Sequence, residues 1–292
     1  MKAAAVAALG LAVWAVLTPL QAQTSVVDDR GHTLVLQHAP QRIVSLLPSL
    51  TETVCALGAC GRLVGVDRHA DWPESVRALP RVGGLEDTQI ERIVALKPDL
   101  VLAALSSRAV DRLQALGLPV LALEPQNMAQ TRRMVQRVAQ ALGTPAEGDA
   151  LLQRIDAQLA RAAARVPPGW RGRKVYLEVA AVPYAAGEAS FIGELLTQLK
   201  LGNVVPAALG PFPQLNPEFV LRAQPDLVVA SARALAGMPA RPGWGALKAL
   251  QSRQQCGLAP AAWDSLVRPG PRLGEAAEAI AECLVGLGNI AP

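Results

Sequence analysis

Two glutamates open two copies of one sequence block. Ile90-Glu91-Arg92-Ile93-Val94-Ala95-Leu96-Lys97-Pro98-Asp99-Leu100-Val101-Leu102-Ala103 recurs in outline as Pro217-Glu218-Phe219-Val220-Leu221-Arg222-Ala223-Gln224-Pro225-Asp226-Leu227-Val228-Val229-Ala230, at a constant offset of 127 residues. Each copy reads as a short helix begun by an acid, then Pro-Asp-Leu-Val running into a strand. Two copies are too few and too far apart for a solenoid. They describe two lobes of similar build, each presenting one carboxylate at a comparable surface point. A two-lobed chain with a cleft is first of all a candidate for binding something between its lobes. On the helices themselves the two acids favour the macrodipole, and Thr88 with Glu91 has the spacing of a capping box.

Little else in the chain is arranged for catalysis. The three histidines, His32, His38 and His69, are scattered, and there is no His-Glu-x-x-His, Cys-x-x-Cys, Gly-x-Ser-x-Gly, phosphate loop or dinucleotide fingerprint. These absences point to a binder, not an enzyme, and no metal site or resident cofactor is expected. Net charge is +4, and arginines are spread along the chain without a basic stripe, which argues against nucleic acid.

Export is written at the start. Lys2 precedes the apolar run Ala3 to Leu17, and Pro19-Leu20-Gln21-Ala22 follows, so residues 1–22 read as a signal peptide removed near Ala22. No cysteine stands at that point, so the expected product is soluble, secreted and free of a lipid anchor. Cys55, Cys60, Cys256 and Cys283 fit an oxidising compartment. Three pairings are possible; the local one, Cys55–Cys60 with Cys256–Cys283, is the expectation, against four buried thiols acting as small hydrophobes.

Positioning these residues requires alternating strands and helices. Val26 to Leu36 reads as a hairpin turning at Asp29-Arg30-Gly31-His32. Short apolar runs (43–47, 63–66, 100–103, 120–123) alternate with helical patterns, and Ser49 and Glu52 have capping-box spacing. A second series has strands at 174–179, 227–229 and 256–258, and helices at 191–201, 217–223, 242–250 and 272–286. Between the series, Leu151, Ile155, Leu159, Ala162 and Val166 form one helical stripe that ends at Pro167-Pro168-Gly169. The fold expected is α/β: two Rossmann-like lobes with central parallel sheets, residues 23–145 and 169–292, joined by a single long helix over 146–168. A stiff joint implies small hinge motion.

Open α/β sheets bind ligands at the carboxyl ends of their strands. That rule nominates 45–49, 67–72, 83–86, 183–184, 211–212 and 263–268 as loops lining an interlobe cleft. Of ten aromatic residues, Trp72, Tyr184, Phe212 and Trp263 fall there, either facing ligand or capping each lobe's core. His69 is either a ligand to a bound cobalt or iron or a hydrogen-bonding side chain.

Several segments resemble the helical-backbone (class III) periplasmic binding proteins, which feed ABC importers of cobalamin, haem and iron-siderophores. The likeness is carried by Pro40-Gln41-Arg42-Ile43-Val44-Ser45-Leu46-Leu47-Pro48-Ser49-Leu50-Thr51-Glu52, the Glu91 to Val101 block, Pro211-Phe212-Pro213-Gln214 and Arg268-Pro269-Gly270-Pro271-Arg272. It runs from about Val26 to Leu284. Ala70-Asp71-Trp72-Pro73 and Pro211-Phe212-Pro213-Gln214 are most similar to the cobalamin-binding members. The resemblance implies a corrinoid cargo, with haem or a ferric siderophore as alternatives. It implies a monomer that docks Glu91 and Glu218 into a permease dimer carrying its ATPase subunits. Asp264 and Arg268 would orient ligand amides or propionates, or hold their loop by a salt bridge. Leu85 stands where an aromatic lines the corrinoid cleft, and His69 where a tyrosine would.

Overall fold

The computed structural model describes residues 23–181 and 183–288; the expected signal peptide lies outside the described residues. The hairpin forms as expected. β1 (Thr24–Val27) pairs antiparallel with β2 (Thr33–Leu36). Gly31 takes φ +81° in the turn, a conformation that favours a residue without Cβ, and the Asp28 carboxylate accepts the Arg30 and His32 amides.

The first lobe runs β3 (Ile43–Ser45), α1 (Pro48–Ala56), β4 (Leu63–Val66), α2 (Ile90–Ala95), β5 (Leu100–Ala103), α3 (Ala109–Ala115), β6 (Val120–Ala122) and α4 (Met128–Leu142). α5 (Pro145–Arg165) leads out of it. The second lobe follows: β7 (Lys174–Ala180), β8 (Tyr184–Ala185), α6 (Phe191–Gln198), β9 (Gly202–Asn203), α7 (Pro217–Ala223), β10 (Leu227–Ser231), α8 (Ala232–Gly237), α9 (Lys248–Gln251), β11 (Gln255–Leu258), α10 (Pro260–Val267) and α11 (Leu273–Leu287).

The sheets repeat one topology. In the first lobe the parallel order is β4-β3-β5-β6; in the second β9-β7-β10-β11, with β8 antiparallel on β7. β5 and β10, the strands of the sequence repeat, occupy matching interior positions. The repeated Pro-Asp has one task in both copies. Asp99 accepts the backbone amides of Gln41 and Arg42 at 2.8 Å each, just before β3. Asp226 accepts the Lys174 amide at 2.7 Å, at the start of β7. Lys97 and Gln224, which precede the two prolines, both have positive φ, 48° and 42°. The repeat is therefore structural down to its backbone.

Helix α5 buries the predicted Leu151, Ile155, Leu159 and Ala162, with Leu152 beside them, and Val166, the last of the predicted stripe, is buried at its C-cap. It approaches its neighbours closely at two glycines: a Cβ on Gly148 would meet Ala139 of α4 at 2.7 Å, and one on Gly274 of α11 would meet Gln158 at 2.4 Å. Side chains there would push the joining helix off both lobes. Both disulfides have the expected local pairing, Cys55–Cys60 and Cys256–Cys283.

Four local expectations are corrected. α1 begins at Pro48 with no side-chain cap, because a proline fits the first helical turn and Ser49 and Glu52 are buried elsewhere. α2 likewise lacks a side-chain cap; the Thr88 hydroxyl donates to Gly84 O instead. The helix expected over 242–250 is a 3₁₀ turn at Trp244–Ala246 followed by the four-residue α9. The 263–268 loop is the end of α10, with Arg268 as its C-cap.

Candidate functional site

The cleft is built by chain leaving the carboxyl ends of the sheets. Leu47, Pro48 and Ser49 follow β3, Ala104 and Ser106 follow β5, and Glu124, Pro125 and Gln126 follow β6. Opposite them stand Val179 of β7, Phe191 and Ile192 of α6, Phe212, and Val267-Arg268-Pro269. The cleft is open to solvent on one side and has a volume of about 400 Å³, within the usual range for small-molecule sites. Phe191 and Phe212 meet edge to face, ring centroids 5.6 Å apart. Two hydrogen bonds join the lobes beside them: Phe191 N donates to Gln126 O at 2.8 Å, and Met128 N to the Glu194 carboxylate at 2.6 Å.

Polar groups in the cleft are held in place. Glu124 accepts the Ser106 amide and hydroxyl at 2.6 and 2.9 Å, and donates its own amide to Asp29 at 2.9 Å. Arg268 is the centre of an interlobe network. Its guanidinium lies 2.8 Å from Glu52 and Asp71 and 3.2 Å from Asp264. It also donates to His69 O at 3.4 Å. Arg272 approaches Glu52 from the other side at 3.7 Å.

Glu52 is 1% exposed, and its Oε2 lacks a hydrogen-bond partner among the described residues. Burial pushes its carboxyl above the ordinary range, against the pull of both arginines. Burial also pushes Asp71 up, but there the Arg268 hydrogen bond and charge win and its carboxyl sits below the usual value. Desolvation works against the Arg268 cation, yet its acidic partners raise its pKa on balance.

The predicted residues divide. Leu85, Phe212 and Arg268 line the cleft. Asp264 serves in the salt bridge that holds Arg268. Trp72 lies elsewhere, in a separate groove of about 370 Å³ against α5, with the Arg272 guanidinium 4.8 Å from its ring centre. Tyr184 is exposed on β8, its hydroxyl 3.4 Å from Gln214 Oε1, and Trp263 packs partly buried on the main core; neither lines the cleft. His69 is exposed on the loop that Arg268 grips. Glu91 and Glu218 are exposed second residues of α2 and α7, and Glu91 lies 4.0 Å from Arg112. Sequence reading missed Ser106, Glu124, Gln126 and Phe191. The strand-end rule reaches the first three, which follow β5 and β6, whereas Phe191 opens a helix and carries no such signal.

Comparison with known proteins agrees with this architecture. A family model described as periplasmic binding protein matches residues 43–261. An uncharacterised ABC transporter substrate-binding lipoprotein of Bacillus subtilis is 28% identical, covering 88% of this chain and 84% of its own. A vitamin B12-binding protein of Yersinia pestis is 30% identical over 74% of this chain and 78% of its own. Among solved structures, a periplasmic heme-binding protein of Roseiflexus has a TM-score of 0.72 at 27% identity, covering 85% of this chain and 98% of its own. The vitamin B12-binding protein of Vibrio cholerae, at 24% identity and TM-score 0.71 over 86% of this chain and 99% of its own, shares the fold.

Proposed function

The chain belongs to the periplasmic binding protein family, and on that footing we propose that it captures cobalamin between its lobes and hands it to an ABC import permease. The supporting observation is the chemistry of the cleft wall. Its described lining is largely aliphatic and aromatic, with no imidazole, phenol, thiol or thioether. Cobalamin brings its own axial ligands and a periphery of neutral amides, so it asks for apolar area and a few hydrogen-bonding groups. Ser106, Glu124 and Gln126 supply the latter. The single arginine of the wall already faces three carboxylates, leaving little charge for an anionic siderophore.

Haem is the second reading. It is supported by the heme-binding structural relative at 27% identity and by the exposed position of His69 on the Arg268-gripped loop. Haem iron needs a protein ligand, and His69 would be that ligand. In either case the protein is a carrier, working as an exported monomer. All four cysteines are committed to disulfides, as suits an oxidising compartment. Among the described residues no helix is long and apolar enough to cross a membrane.

Calorimetric titration of residues 23–292 with cyanocobalamin and haemin tests the cargo. One-to-one binding of cyanocobalamin alone is the expected result; haemin alone, with a Soret shift lost in His69→Ala, would replace it with the haem reading. Glu91 and Glu218 are the docking acids in this proposal. Reversing both to Arg should abolish uptake and leave cargo binding unchanged, and lost binding would remove the docking role.

A further inference from the structure

The two docking points are not alike. Directly before Glu218, Leu215 and Pro217 form one side of a pocket of about 340 Å³ whose other walls are Pro183, Arg241, Pro242 and Trp244. At the offset of the repeat, the first lobe has Thr88 and Ile90 in place of Leu215 and Pro217, and Ile90 is packed into that lobe's core. Glu91 has Arg112 nearby at 4.0 Å, whereas Glu218 has no ion-pair partner among the described residues.

The pocket is stiff and its own cation is spent. Arg241 makes a two-point salt bridge to buried Glu178, at 2.6 and 2.7 Å, and the Tyr176 hydroxyl donates to the same carboxylate at 2.9 Å. The Arg241 guanidinium lies 4.6 Å from the centre of the Trp244 ring, and Tyr176 meets that ring edge-on at 5.7 Å. Three prolines fix the rim. What remains is an apolar, preorganised socket with an unpaired acid beside it, a combination that rewards one buried anchor next to one cation.

Resting on the docking role of Glu218, we propose that the permease subunit facing the second lobe seats an apolar side chain in this socket while a cation of the same loop pairs with Glu218. The charge pair supplies steering and register; the anchor supplies residence time, so the second lobe holds the permease more firmly than the first.

Photo-crosslinking in the protein's own host cells tests this. A benzophenone amino acid replaces exposed Pro242 in one full-length version and exposed Val94, one turn beyond Glu91 on α2, in another. Adducts are identified by mass spectrometry. The expected result is a permease subunit captured from both positions, with the peptide joined at 242 holding an apolar residue within a few positions of Arg or Lys. Capture from 94 but not from 242 overturns the socket and leaves docking intact. Capture from neither overturns docking and the socket together; a non-permease adduct at 242 also overturns the socket. In a third version, Pro242→Asp with the crosslinker at 94 should lower the adduct yield at least about tenfold; an unchanged yield overturns the anchor.

Discussion

Arg268 sets one guanidinium nitrogen 2.8 Å from Glu52 and 2.8 Å from Asp71, so a residue at the end of α10 in the second lobe ties together two acids of the first. The arginine is 12% exposed and Glu52 1%, which makes the attachment an interior one. Interior pairs respond unequally to change: deleting one partner strands the other.

Arg268→Met should therefore lower unfolding free energy by about 3–5 kcal/mol, measured by urea denaturation. The double variant Arg268→Met, Glu52→Leu should recover most of that loss. A single variant as stable as the parent would mean that the network carries no net attachment between lobes.

The two acids predict opposite pH responses. The Asp71 carboxyl is depressed below its usual 3.8, so its contribution is fully present above that value and fades as pH falls through the folded-state value. The deficit of Asp71→Asn should shrink below pH 3.8, and half exposure keeps it under about 1 kcal/mol. Burial raises the Glu52 carboxyl above 4.5, so its ionisation counts against the fold as pH climbs from 4.5 through the raised value. The deficit of Glu52→Gln should be largest below pH 4.5 and shrink above it. Urea midpoints between pH 3 and 7 check both slopes; parallel slopes would contradict the assignment.

Asp99 and Asp226 hold the starts of β3 and β7 through backbone amides. Charge-assisted bonds of this kind are worth about 1.5–3 kcal/mol. Asp99→Ala and Asp226→Ala should each cost about that much. Because the sites lie in different lobes, the double variant should show the sum to within about 0.5 kcal/mol. Guanidinium titrations of the three variants provide the comparison.

Phe212 contributes an aromatic face to the cleft and an edge contact to Phe191. Phe212→Ala should weaken cargo binding by roughly tenfold or more, about 1.4 kcal/mol, with a small change in stability because the ring is only partly buried. Calorimetry with the cargo that binds the parent protein reads the change; equal affinity would place the cargo away from this wall.

What was legible in the sequence was what neighbouring residues decide. The Glu-to-Ala block announced two lobes because helix, proline and strand follow in unbroken register, and the α5 stripe is a local periodicity. Cys55 and Cys60 lie five residues apart, which favours their bridge among the three pairings that four cysteines allow. The cap at Ser49 fails for a distant reason and the 263–268 loop for a near one. Ser49 and Glu52 have the spacing of a cap, but Arg268, the partner that claims Glu52, lies 216 residues away, and no local pattern reveals it. Trp72 follows a strand, as a cleft residue should, and its ring lies in the groove on α5 beside Arg272. Trp263 and Arg268 sit on a helix rather than a loop because Pro260 starts α10.

Neither disulfide crosses from one lobe to the other: Cys55–Cys60 lies wholly in the first lobe, and Cys256–Cys283 staples β11 to α11 in the second. Thiol reductants are thus a stress on each half separately and have no covalent purchase on the mouth between them. Redox chemistry can decide how long the carrier survives, while its grip on cargo stays indifferent to the oxidation state of its cysteines until one half gives way.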